Sequence, residues 1–555
     1  MGPDTHERDH PWLAAYPEGR PHSLDREHDG GLSMLRSAVA AKPGDPALHY
    51  LDGTLTWTDL DRGSDALAAL LLSRGFAPGE RLAVCVQNDP AFVIGLLAAW
   101  KAGGVAALVS PMSRTRELDA ILRDCEPAAL LILDDLYEDV ARGVLAGAAH
   151  SVHTVVTVSP LDGQHSDDPR LFDGLDRRRP GDTLDLGAVI STGLTPHGEV
   201  GAATAPDDVA VLAYTSGTTG RPKGAMLTHR NLAHSAQVYR DWHDLRPGEP
   251  VLALSPVFHV TGLVGGVLLS LLLGSPLVLT HRILPGVTLD AVRRWRPAFA
   301  IAAITAYIGL VDDGHATPDD FASFRVLASG GAPIEPATAD RLEAALGHYI
   351  HNVYGQTETT SPSHAVPPGV RAPVDEGTRT LSVGLPVFDT VARIVDDAGA
   401  EVPAGEIGEI VTSGPQVSPG YWRNPEATAE GIPDGRLRTG DVGFMDAEGW
   451  FYVVDRRKDM INASGYKVWP REVEQVLADH PAVREVAVVG IPDDYRGESV
   501  KAFVALREGA DVDEAALVRY CRDRMAAYKY PREIELVAHL PRTTTGKVLR
   551  RMLRG

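Results

Sequence analysis

Residues 209–224 read VAVLAYTSGTTGRPKG, and this stretch decides how the chain folds. The first six residues form a short apolar run of the kind found in buried strands. The next residues combine glycines, which let backbone N–H groups approach an anion, with hydroxyls that can donate to phosphate oxygens. The pattern predicts a strand that leads directly into a polyphosphate-binding loop. Its candidate ligands are Thr215, Ser216, Gly217, Thr218, Thr219 and the positively charged Lys223.

Two other interpretations of this loop fit less well. A Walker A loop requires Gly-Lys followed by Ser or Thr, whereas Lys223 lies between Pro222 and Gly224. A plain surface loop rich in Gly, Ser and Thr has no need of a lysine after a strand. The sequence therefore favours a phosphate loop of another kind.

Strand and helix patterns alternate on both sides of the loop. Upstream, Leu82–Gln87, Pro90–Ala102 and Val105–Val109 read as strand, helix and strand, which is a βαβ unit of a parallel sheet. The Asp-, Gly-, Pro- and Arg-rich segment 161–208 is expected to be a surface connection. We expect an α/β fold with a large N-terminal domain of parallel-rich α/β layers, residues 1–456.

A smaller unit follows the charged segment Asp455–Asp459. Its pattern predicts a helix over Arg471–Ala478, a strand over Val486–Val489 and a helix over Glu514–Met525. A length of 555 residues allows roughly two to four domains. Residues 457–555 are therefore predicted to form a small C-terminal α+β domain joined by a polar hinge.

The composition limits partners and location. The chain has 53 Lys and Arg against 74 Asp and Glu, a formal net charge of −21, which argues against binding nucleic acid or an anionic membrane surface. The three cysteines, Cys85, Cys125 and Cys521, suit neither a disulfide framework nor a metal cluster. The first residues are acidic where a signal peptide needs a basic start. We expect a cytoplasmic protein, and the sequence leaves the oligomeric state open, a homodimer included.

One apolar stretch raises the question of a membrane span. Residues 251–280 contain no Asp, Glu, Lys or Arg. Pro256 and Pro276 interrupt the stretch and several glycines dilute it, so the continuous helical part is about Val260–Leu273, shorter than the roughly 20 residues that span a bilayer. A buried helix that enters a strand is predicted, and no integral membrane span.

The phosphate loop and six further segments resemble the adenylate-forming (ANL) superfamily, which includes acyl-CoA synthetases, nonribosomal adenylation domains and firefly luciferase. The six segments follow the family's order: Ser255–His259 (SPVFH), Ser329–Pro333 (SGGAP), Tyr354–Glu358 (YGQTE), Thr439–Asp441 (TGD), Asp455–Pro470 (DRRKDMINASGYKVWP) and Pro541–Arg551 (PRTTTGKVLRR). The resemblance covers the chain from the phosphate loop to the C-terminus. It implies a large α/β domain followed by a small C-terminal lid on a hinge near Lys458.

The resemblance implies a two-step reaction of a small-molecule carboxylic acid with ATP, coenzyme A and Mg²⁺. A free carboxylate is a poor electrophile, because attack on it adds charge to an anion. Transfer of AMP to the acid gives acyl-AMP and pyrophosphate, and the mixed anhydride has a good leaving group. The thiol of CoA then displaces AMP and forms acyl-CoA.

The same resemblance assigns roles to the nucleotide ligands. Thr215 to Lys223 would hold the β- and γ-phosphates, Thr357 the α-phosphate and Glu358 the Mg²⁺ ion, with Thr215 as its second ligand. Asp441 would bind the ribose, and Arg456 would be a second ligand of the ribose or of a phosphate. The residues that would frame the adenine are Gly331, Ala332, Asn352 and Tyr354, and Gly355 is a further nucleotide-binding residue. Without the family, a solvated loop carboxylate is the less favoured interpretation of Glu358, whereas Tyr354, a tyrosine between apolar neighbours, is better interpreted as a core residue.

The C-terminal lid supplies further implied roles. Lys547 would bridge the carboxylate and the α-phosphate during adenylation. Rotation about Lys458 would then withdraw Lys547 and bring Gly465 beside a pantetheine tunnel, where a glycine allows close backbone approach. His259 falls where the family places a gating residue near the acyl pocket. Read alone, the basic tail is a solvated face, and His259 a packed residue at the edge of an apolar run.

The acid itself is less well defined by the sequence. The apolar stretch Val257–Leu273 suits the wall of a hydrophobic pocket, and Trp12–Gly19 resembles the opening of fatty-acyl-CoA synthetases. We predict a medium- or long-chain, or otherwise bulky hydrophobic acid, which includes specialised acids of secondary metabolism. An aryl acid is the main alternative. Ala303–Ala306 replaces the proline-containing segment usual in the family, which leaves the shape of the pocket open.

A different class of function is a protein that binds nucleotide or a preformed acyl-adenylate without catalysing both steps, which includes one that performs only the thioesterification of a preformed acyl-adenylate. The presence of Lys223, Glu358, Asp441 and Lys547 argues against it, since such a protein has no need of the bridging lysine.

Overall fold

The computed structural model of the 555-residue chain describes residues 10–147, 150–196, 204–215, 222–463, 466–493, 497–526, 528–543 and 548–554. Counted over these ranges, the strands form four sheets of nine, seven, four and five strands. The two largest sheets are mostly parallel and carry helices, whereas the other two are mostly antiparallel. The predicted α/β class, with a large parallel-rich N-terminal part and a small C-terminal α+β part, is confirmed.

Strands that are neighbours in a sheet are frequently distant in the chain. In spatial order, the largest sheet contains Leu385–Pro386, His364–Ala365, Ile350–Tyr354, Val326–Gly330, Phe299–Ala302, Val251–Leu252, Leu277–Leu279, Pro46–Tyr50 and Gly53–Thr56. The second contains Leu184–Asp185, Thr154–Val158, Ala129–Leu133, Arg81–Cys85, Val105–Leu108, Val209–Thr215 and Lys223–Thr228. The third contains Val391–Val395, Gly408–Ser413, Leu437–Met445 and Phe451–Arg456. The C-terminal sheet contains Tyr466–Val468, Ile461–Ala463, Gly497–Leu506 and Val483–Asp493, with Glu533–Leu536 paired to Gly497–Leu506.

The longer helices frequently begin with proline, whose fixed φ and missing N–H suit the first helical position. They are Gly31–Ala41, Trp57–Ser73, Pro90–Lys101, Thr115–Cys125, His229–Trp242, Pro285–Trp295, Ile304–Asp312, Pro336–Leu346, Pro470–Ala478 and Glu514–Arg522. Shorter helices are Asp134–Leu136, Arg142–Gly147, Pro169–Phe172, Leu186–Ser191, Val260–Gly262, Leu269–Leu273, Pro318–Phe321 and Pro425–Gly431. The 3₁₀ turns are Pro11–Ala15, Thr357–Thr359, Pro433–Gly435, Arg457–Asp459 and Arg550–Met552, and the π turns are Tyr137–Ala141 and Leu263–Leu268.

The predicted βαβ unit is confirmed. Strands Arg81–Cys85 and Val105–Leu108 pair in parallel, and the helix Pro90–Lys101 connects them. Asp89 caps this helix by accepting a hydrogen bond from the N–H of Ala91 (2.9 Å). Every residue of the helix is buried, which explains why its sequence is apolar on all faces.

The uncharged stretch 251–280 is a buried helix that leads into a strand, as predicted. The helix begins at Val260, passes through the π turn Leu263–Leu268 and ends at Leu273, where Gly274 adopts a left-handed conformation (φ +56°) before the strand Leu277–Leu279. Within the described ranges, no helix has the length and apolar character needed to cross a membrane.

The expectation for segment 161–208 was wrong in part. It contains the helices Pro169–Phe172 and Leu186–Ser191, and the strand Leu184–Asp185 adds an edge to the second sheet. Leu171 and Phe172 are buried in a small cluster with Leu161 and Val287. The polar composition of the segment concealed these few apolar anchors, which suffice to order short elements against the large core.

The C-terminal part has the predicted helices and strand, although its second helix ends at Arg522 rather than Met525. The chain changes sheets between the strands Phe451–Arg456 and Ile461–Ala463. Asp479, after the first helix, pairs with Arg379 of the large part at 2.5 Å. The domain boundary at residues 456 and 457 stays a prediction.

One ionic contact gives a test of how the first helices pack. Lys101 is 7% exposed, and its Nζ lies 2.6 Å from Asp61 Oδ1 and 2.7 Å from Asp65 Oδ1 on the helix Trp57–Ser73. We expect Lys101→Met to destabilise the protein by about 2 kcal/mol, because two carboxylates one turn apart lose their shared cation. Urea unfolding followed by circular dichroism measures the change. Lys42→Met is the control, since Lys42 makes no ion pair with a described residue; an equal loss in both variants would contradict the assignment.

Candidate active site

The candidate site is organised around the turn from Tyr354 to Glu358, which follows the strand Ile350–Tyr354. This strand and its parallel neighbour, Val326–Gly330, both end at the same edge of the largest sheet. Ligands of open α/β sheets bind at the carboxyl ends of parallel strands. The predicted nucleotide residues of the large domain are therefore expected along this edge.

A glycine makes the turn tight. A Cβ at Gly355 would overlap the carbonyl oxygen of Ser361, so no side chain fits at this position. The N–H of Gln356 donates to Thr359 Oγ1 (2.8 Å), and Thr357–Thr359 form one 3₁₀ turn. Tyr354, Gln356 and Glu358 are thereby held in fixed relation to one another.

The carboxylate of Asp441 is the first group that the turn contacts. The hydroxyl of Tyr354 and the Nε2 of Gln356 donate to its Oδ2 at 2.7 and 2.8 Å. Arg456 Nε lies 3.1 Å from Oδ1, because Asp441 and Arg456 are paired opposite each other on neighbouring antiparallel strands. The charge of Asp441 raises the pKa of Arg456, and burial together with Asp441 raises the pKa of the Tyr354 phenol.

The carboxylate of Glu358 is the second group. Glu358 is 9% exposed, and its Oε1 accepts a hydrogen bond from the hydroxyl of Tyr421 at 2.6 Å. Burial and the neighbouring carboxylate raise the pKa of that phenol. Among the described residues no hydrogen bond reaches the other oxygen of Glu358. A free carboxylate oxygen beside the predicted phosphate site fits Mg²⁺, which usually takes one or two carboxylates besides phosphates and water.

The strand Lys223–Thr228, called the phosphate strand below because it follows the predicted phosphate loop, lies on the far side of Tyr421. Lys223 is the first residue of the strand Lys223–Thr228 and pairs with Thr215 of the preceding strand. The Lys223 ammonium lies 5.3 Å from the centroid of the Tyr421 ring, which is cation–π distance. Thr215 Oγ1 donates to the carbonyl of Lys223 at 3.4 Å. The predicted ligands Ser216, Gly217, Thr218 and Thr219 lie outside the described residues.

The predicted adenine residues lie on or next to the two parallel strands. Gly331 follows Val326–Gly330 with φ +82°, a conformation that favours glycine, and Ala332 follows it. Asn352 is buried, and its Nδ2 donates to the carbonyl of Ser382 at 3.1 Å. No contact of these residues decides their role, so their assignment to the adenine stays a prediction.

The remaining predicted residues are more widely spread. His259 is the N-cap of the apolar helix, and its Nδ1 accepts a hydrogen bond from the N–H of Thr261 (3.4 Å). Lys458 lies in the turn Arg457–Asp459, directly after the strand that carries Arg456. Gly465 and Lys547 lie outside the described residues.

Sequence reasoning missed two residues of this site. Gln356, whose Nε2 also donates to the carbonyl of Thr439 (2.8 Å), stands inside a recognised motif but was assigned no role. Tyr421 lies in SPGYWRNP, a stretch whose proline, glycine and arginine content indicates only a loop. Its contacts with residues about 60 and 200 positions away in sequence could not be read from local pattern.

Two family models match the chain. The model for AMP-binding enzymes matches residues 35–422, and the model for the AMP-binding enzyme C-terminal domain matches residues 472–547. The chain is 36% identical over 553 residues to a long-chain-fatty-acid–CoA ligase of Bacillus subtilis, covering 98% of this chain and 97% of the relative. It is also 36% identical over 513 residues to a feruloyl-CoA synthase of Amycolatopsis, covering 92% and 95%.

A solved structure gives the same result for the fold. The ATP-bound crystal structure of MatB from Rhodopseudomonas palustris superposes with a TM-score of 0.82 at 29% identity, covering 95% of this chain and 98% of that chain. The chain belongs to the AMP-binding enzyme family, which is the predicted adenylate-forming superfamily. The prediction of an ATP-dependent acid–thiol ligase, an acyl-CoA synthetase, is confirmed at the level of this family.

The bond from Gln356 to Asp441 predicts a measurable effect on nucleotide binding. We expect Gln356→Met, which keeps the volume but removes the donor, to raise the dissociation constant of ATP about tenfold, as for loss of one hydrogen bond to a charged group. Isothermal titration calorimetry measures it. Gln164→Met is the matched control, because Gln164 is also buried and donates to an aspartate, Asp167, at 2.9 Å. Unchanged ATP affinity in Gln356→Met, with weaker binding in Asp441→Asn, would show that Gln356 has no such role.

Proposed function

We propose that this enzyme makes the CoA thioester of a medium-chain, long-chain or otherwise bulky hydrophobic carboxylic acid, and that it carries out both steps itself. The observation that carries the proposal is the single turn from Tyr354 to Glu358. At its start Tyr354 and Gln356 hold Asp441, and at its end Glu358 lies beside Tyr421 and the phosphate strand. A nucleotide bound along this turn has its ribose at Asp441 and its phosphates near Glu358 and Lys223.

In the first step an oxygen of the substrate carboxylate attacks the α-phosphorus and pyrophosphate leaves. Negative charge builds on the phosphate oxygens, so oriented donors and cations contribute most of the rate enhancement. Thr357 would donate to the α-phosphate, and Lys223, with Thr215 to Thr219, would hold the β- and γ-phosphates. Mg²⁺, held by Glu358 and Thr215, would neutralise part of the phosphate charge when bound.

The nucleoside is held by the remaining groups of the sheet edge. Asp441 would accept hydrogen bonds from the ribose hydroxyls, and Arg456 fixes the orientation of its carboxylate. Adenine would lie among Gly331, Ala332, Asn352, Tyr354 and Gly355. The hydroxyl of Tyr354 donates to Asp441, and this hydrogen bond holds the ring in one orientation, in which it would stack on the base.

The second step requires the C-terminal lid. Lys547 would bridge the acid and the α-phosphate in the first step and leave after adenylation. Rotation at Lys458 would bring Gly465 to a tunnel for the pantetheine arm, and the CoA thiol would attack the acyl carbonyl and release AMP. The turn that holds Lys458 directly follows the strand of Arg456, so the hinge would begin at the edge of the nucleotide site.

The preference for a hydrophobic acid is supported by the apolar helix beyond His259. Its π turn Leu263–Leu268 is entirely buried. A Cβ at Gly265 would meet Ile301 Cγ2 at 2.8 Å and the Tyr239 ring at 3.2 Å, so this glycine brings helix, strand and Tyr239 into close contact. This helix would form one wall of the acyl pocket. His259, at the N-terminus of this helix, would gate the pocket.

The two curated relatives support different acids. The Bacillus subtilis relative is a long-chain-fatty-acid–CoA ligase, and the match to it extends over 98% of this chain. The Amycolatopsis relative is a feruloyl-CoA synthase of equal identity over 92%. An aryl acid is therefore the second candidate. A cytoplasmic location is part of the proposal and is supported by Cys85, Cys125 and Cys521, which are all buried free thiols.

The first experiment incubates the purified protein with Mg²⁺, ATP, CoA and a panel of fatty, aryl and polycyclic acids. Mass spectrometry scores acyl-AMP and acyl-CoA separately. We expect both products from fatty acids and less from aryl acids. Acyl-CoA from aryl acids alone would replace the substrate proposal by its alternative, and acyl-CoA only from supplied acyl-AMP would show that the first step is absent.

The lid assignment makes a separate prediction. We expect Lys547→Ala to lower the rate of acyl-AMP formation on the order of 10² to 10³-fold, as for other single donors at a transition-state anion. Thioester formation from supplied acyl-AMP should be retained. The control is Lys501→Ala, which removes a lid lysine that is paired with Glu533 and Glu535. Equal loss of both steps in Lys547→Ala would contradict the assigned role.

A further inference from the structure

Tyr421 contacts both charged groups at the phosphate end of the site. Its hydroxyl donates to Glu358 Oε1 at 2.6 Å, and its ring centroid lies 5.3 Å from the Nζ of Lys223. Tyr421 itself is 9% exposed. The hydroxyl of this buried side chain therefore contacts Glu358, the proposed metal ligand, and its ring contacts Lys223, the proposed phosphate ligand.

Backbone pairing fixes the position of Tyr421. The residues around it run antiparallel to the phosphate strand, with Trp422 N–H donating to the carbonyl of Gly224 (2.8 Å) and Met226 N–H to that of Gly420 (2.9 Å). Its own N–H donates to Thr428 Oγ1 at 2.9 Å. The tyrosine is thus attached to the strand that begins with Lys223.

The same segment is also attached to the turn of Glu358. The N–H of Ser418 donates to the carbonyl of Glu358 at 2.8 Å. Backbone bonds therefore fix Tyr421 relative to Glu358 as well as to Lys223. This double attachment means that a change in its hydroxyl need not move either backbone.

The placement has an electrostatic consequence. Lys223 and Glu358 carry opposite charges and contact the same side chain, yet neither forms an ion pair with any residue that the structure describes. A direct pair would occupy the ammonium with the carboxylate and leave less of each charge for a ligand. The aromatic ring lets the lysine keep its charge, and a hydroxyl donor leaves one carboxylate oxygen unused.

We propose that Tyr421 is a positioning residue that holds Glu358 and Lys223 apart and oriented, so that a metal ion and a polyphosphate can enter between them. The inference rests on the roles proposed above for these two residues. The hydroxyl orients the carboxylate toward the ion, and the ring supports the ammonium that meets the phosphates.

Two substitutions separate these contributions. Tyr421→Phe keeps the ring beneath Lys223 and removes only the hydroxyl. Tyr421→Leu removes both contacts. Binding of a non-hydrolysable ATP analogue is measured by calorimetry across a series of Mg²⁺ concentrations and in excess EDTA, so that the result does not depend on turnover.

For Tyr421→Phe we expect the Mg²⁺ concentration that gives half-maximal tightening of analogue binding to rise roughly tenfold or more, because a carboxylate loses a hydrogen bond from a buried donor. Affinity in EDTA should change less than about twofold, since the ring remains under Lys223. For Tyr421→Leu we expect weaker binding in both conditions. In a Glu358→Gln background, Tyr421→Phe should have no further effect on the Mg²⁺ requirement.

Tyr137→Phe is the matched control, because it removes another tyrosine hydroxyl that donates to a carboxylate, Asp182, at 2.9 Å. Its Mg²⁺ requirement should equal that of the wild type. A wild-type Mg²⁺ requirement in Tyr421→Phe, or equal weakening with Mg²⁺ and in EDTA, would overturn the inference. Failure of the wild type to bind the analogue in either condition would instead overturn the proposed function of the site.

Discussion

The close backbone approach at Gly355 is the constraint on which the rest of the site depends. The chain leaves the strand Ile350–Tyr354 and turns back where only hydrogen fits against the carbonyl of Ser361. Tyr354 and Gln356 thereby contact Asp441, and Glu358 contacts Tyr421. A residue larger than glycine at position 355 would change the distance between the carboxylates of Asp441 and Glu358.

The local structure of the chain was largely readable from its sequence, because hydrophobic periodicity and glycine placement are local signals. The βαβ unit around Pro90–Lys101, the buried helix from Val260 and the strand leading into the phosphate loop all appear where the pattern places them. The ends of these strands differ by one to two residues from the expectation, and the C-terminal strand expected over Val486–Val489 extends over Val483–Asp493. Such ends depend on sheet partners, which the sequence does not show.

The site was less predictable for a physical reason. Its motifs identified which residues are chemically suited to a nucleotide, but the contacts among them join segments that are far apart in the chain. The bond between Tyr421 and Glu358 joins residues that are distant in sequence, whereas the pair of Arg456 with Asp441 joins two neighbouring strands. Arg456 lies fifteen residues after Asp441, on the next strand of the same antiparallel hairpin, so that contact is local in sequence. Tyr421 reaches the site only because its segment pairs with the phosphate strand. Likewise, segment 161–208 looked irregular because its few buried apolar residues have no periodicity.

The attachment of the C-terminal part is unequal along its length. Near the proposed hinge, Arg550 contacts Glu474 at 2.7 and 2.8 Å and lies within 3.5 Å of Asp455 and Asp459. Burial raises the pKa of Asp455 to about 6, so the charged form of this carboxylate is costly and depends on the nearby Arg550. Asp479 follows the other end of the helix Pro470–Ala478, about 13 Å further on. There it forms an exposed ion pair with Arg379 of the large part. Exposed pairs are worth roughly 1 kcal/mol or less, which is comparable to thermal energy, so this pair contributes far less to holding the C-terminal part than the buried cluster around Arg550 does.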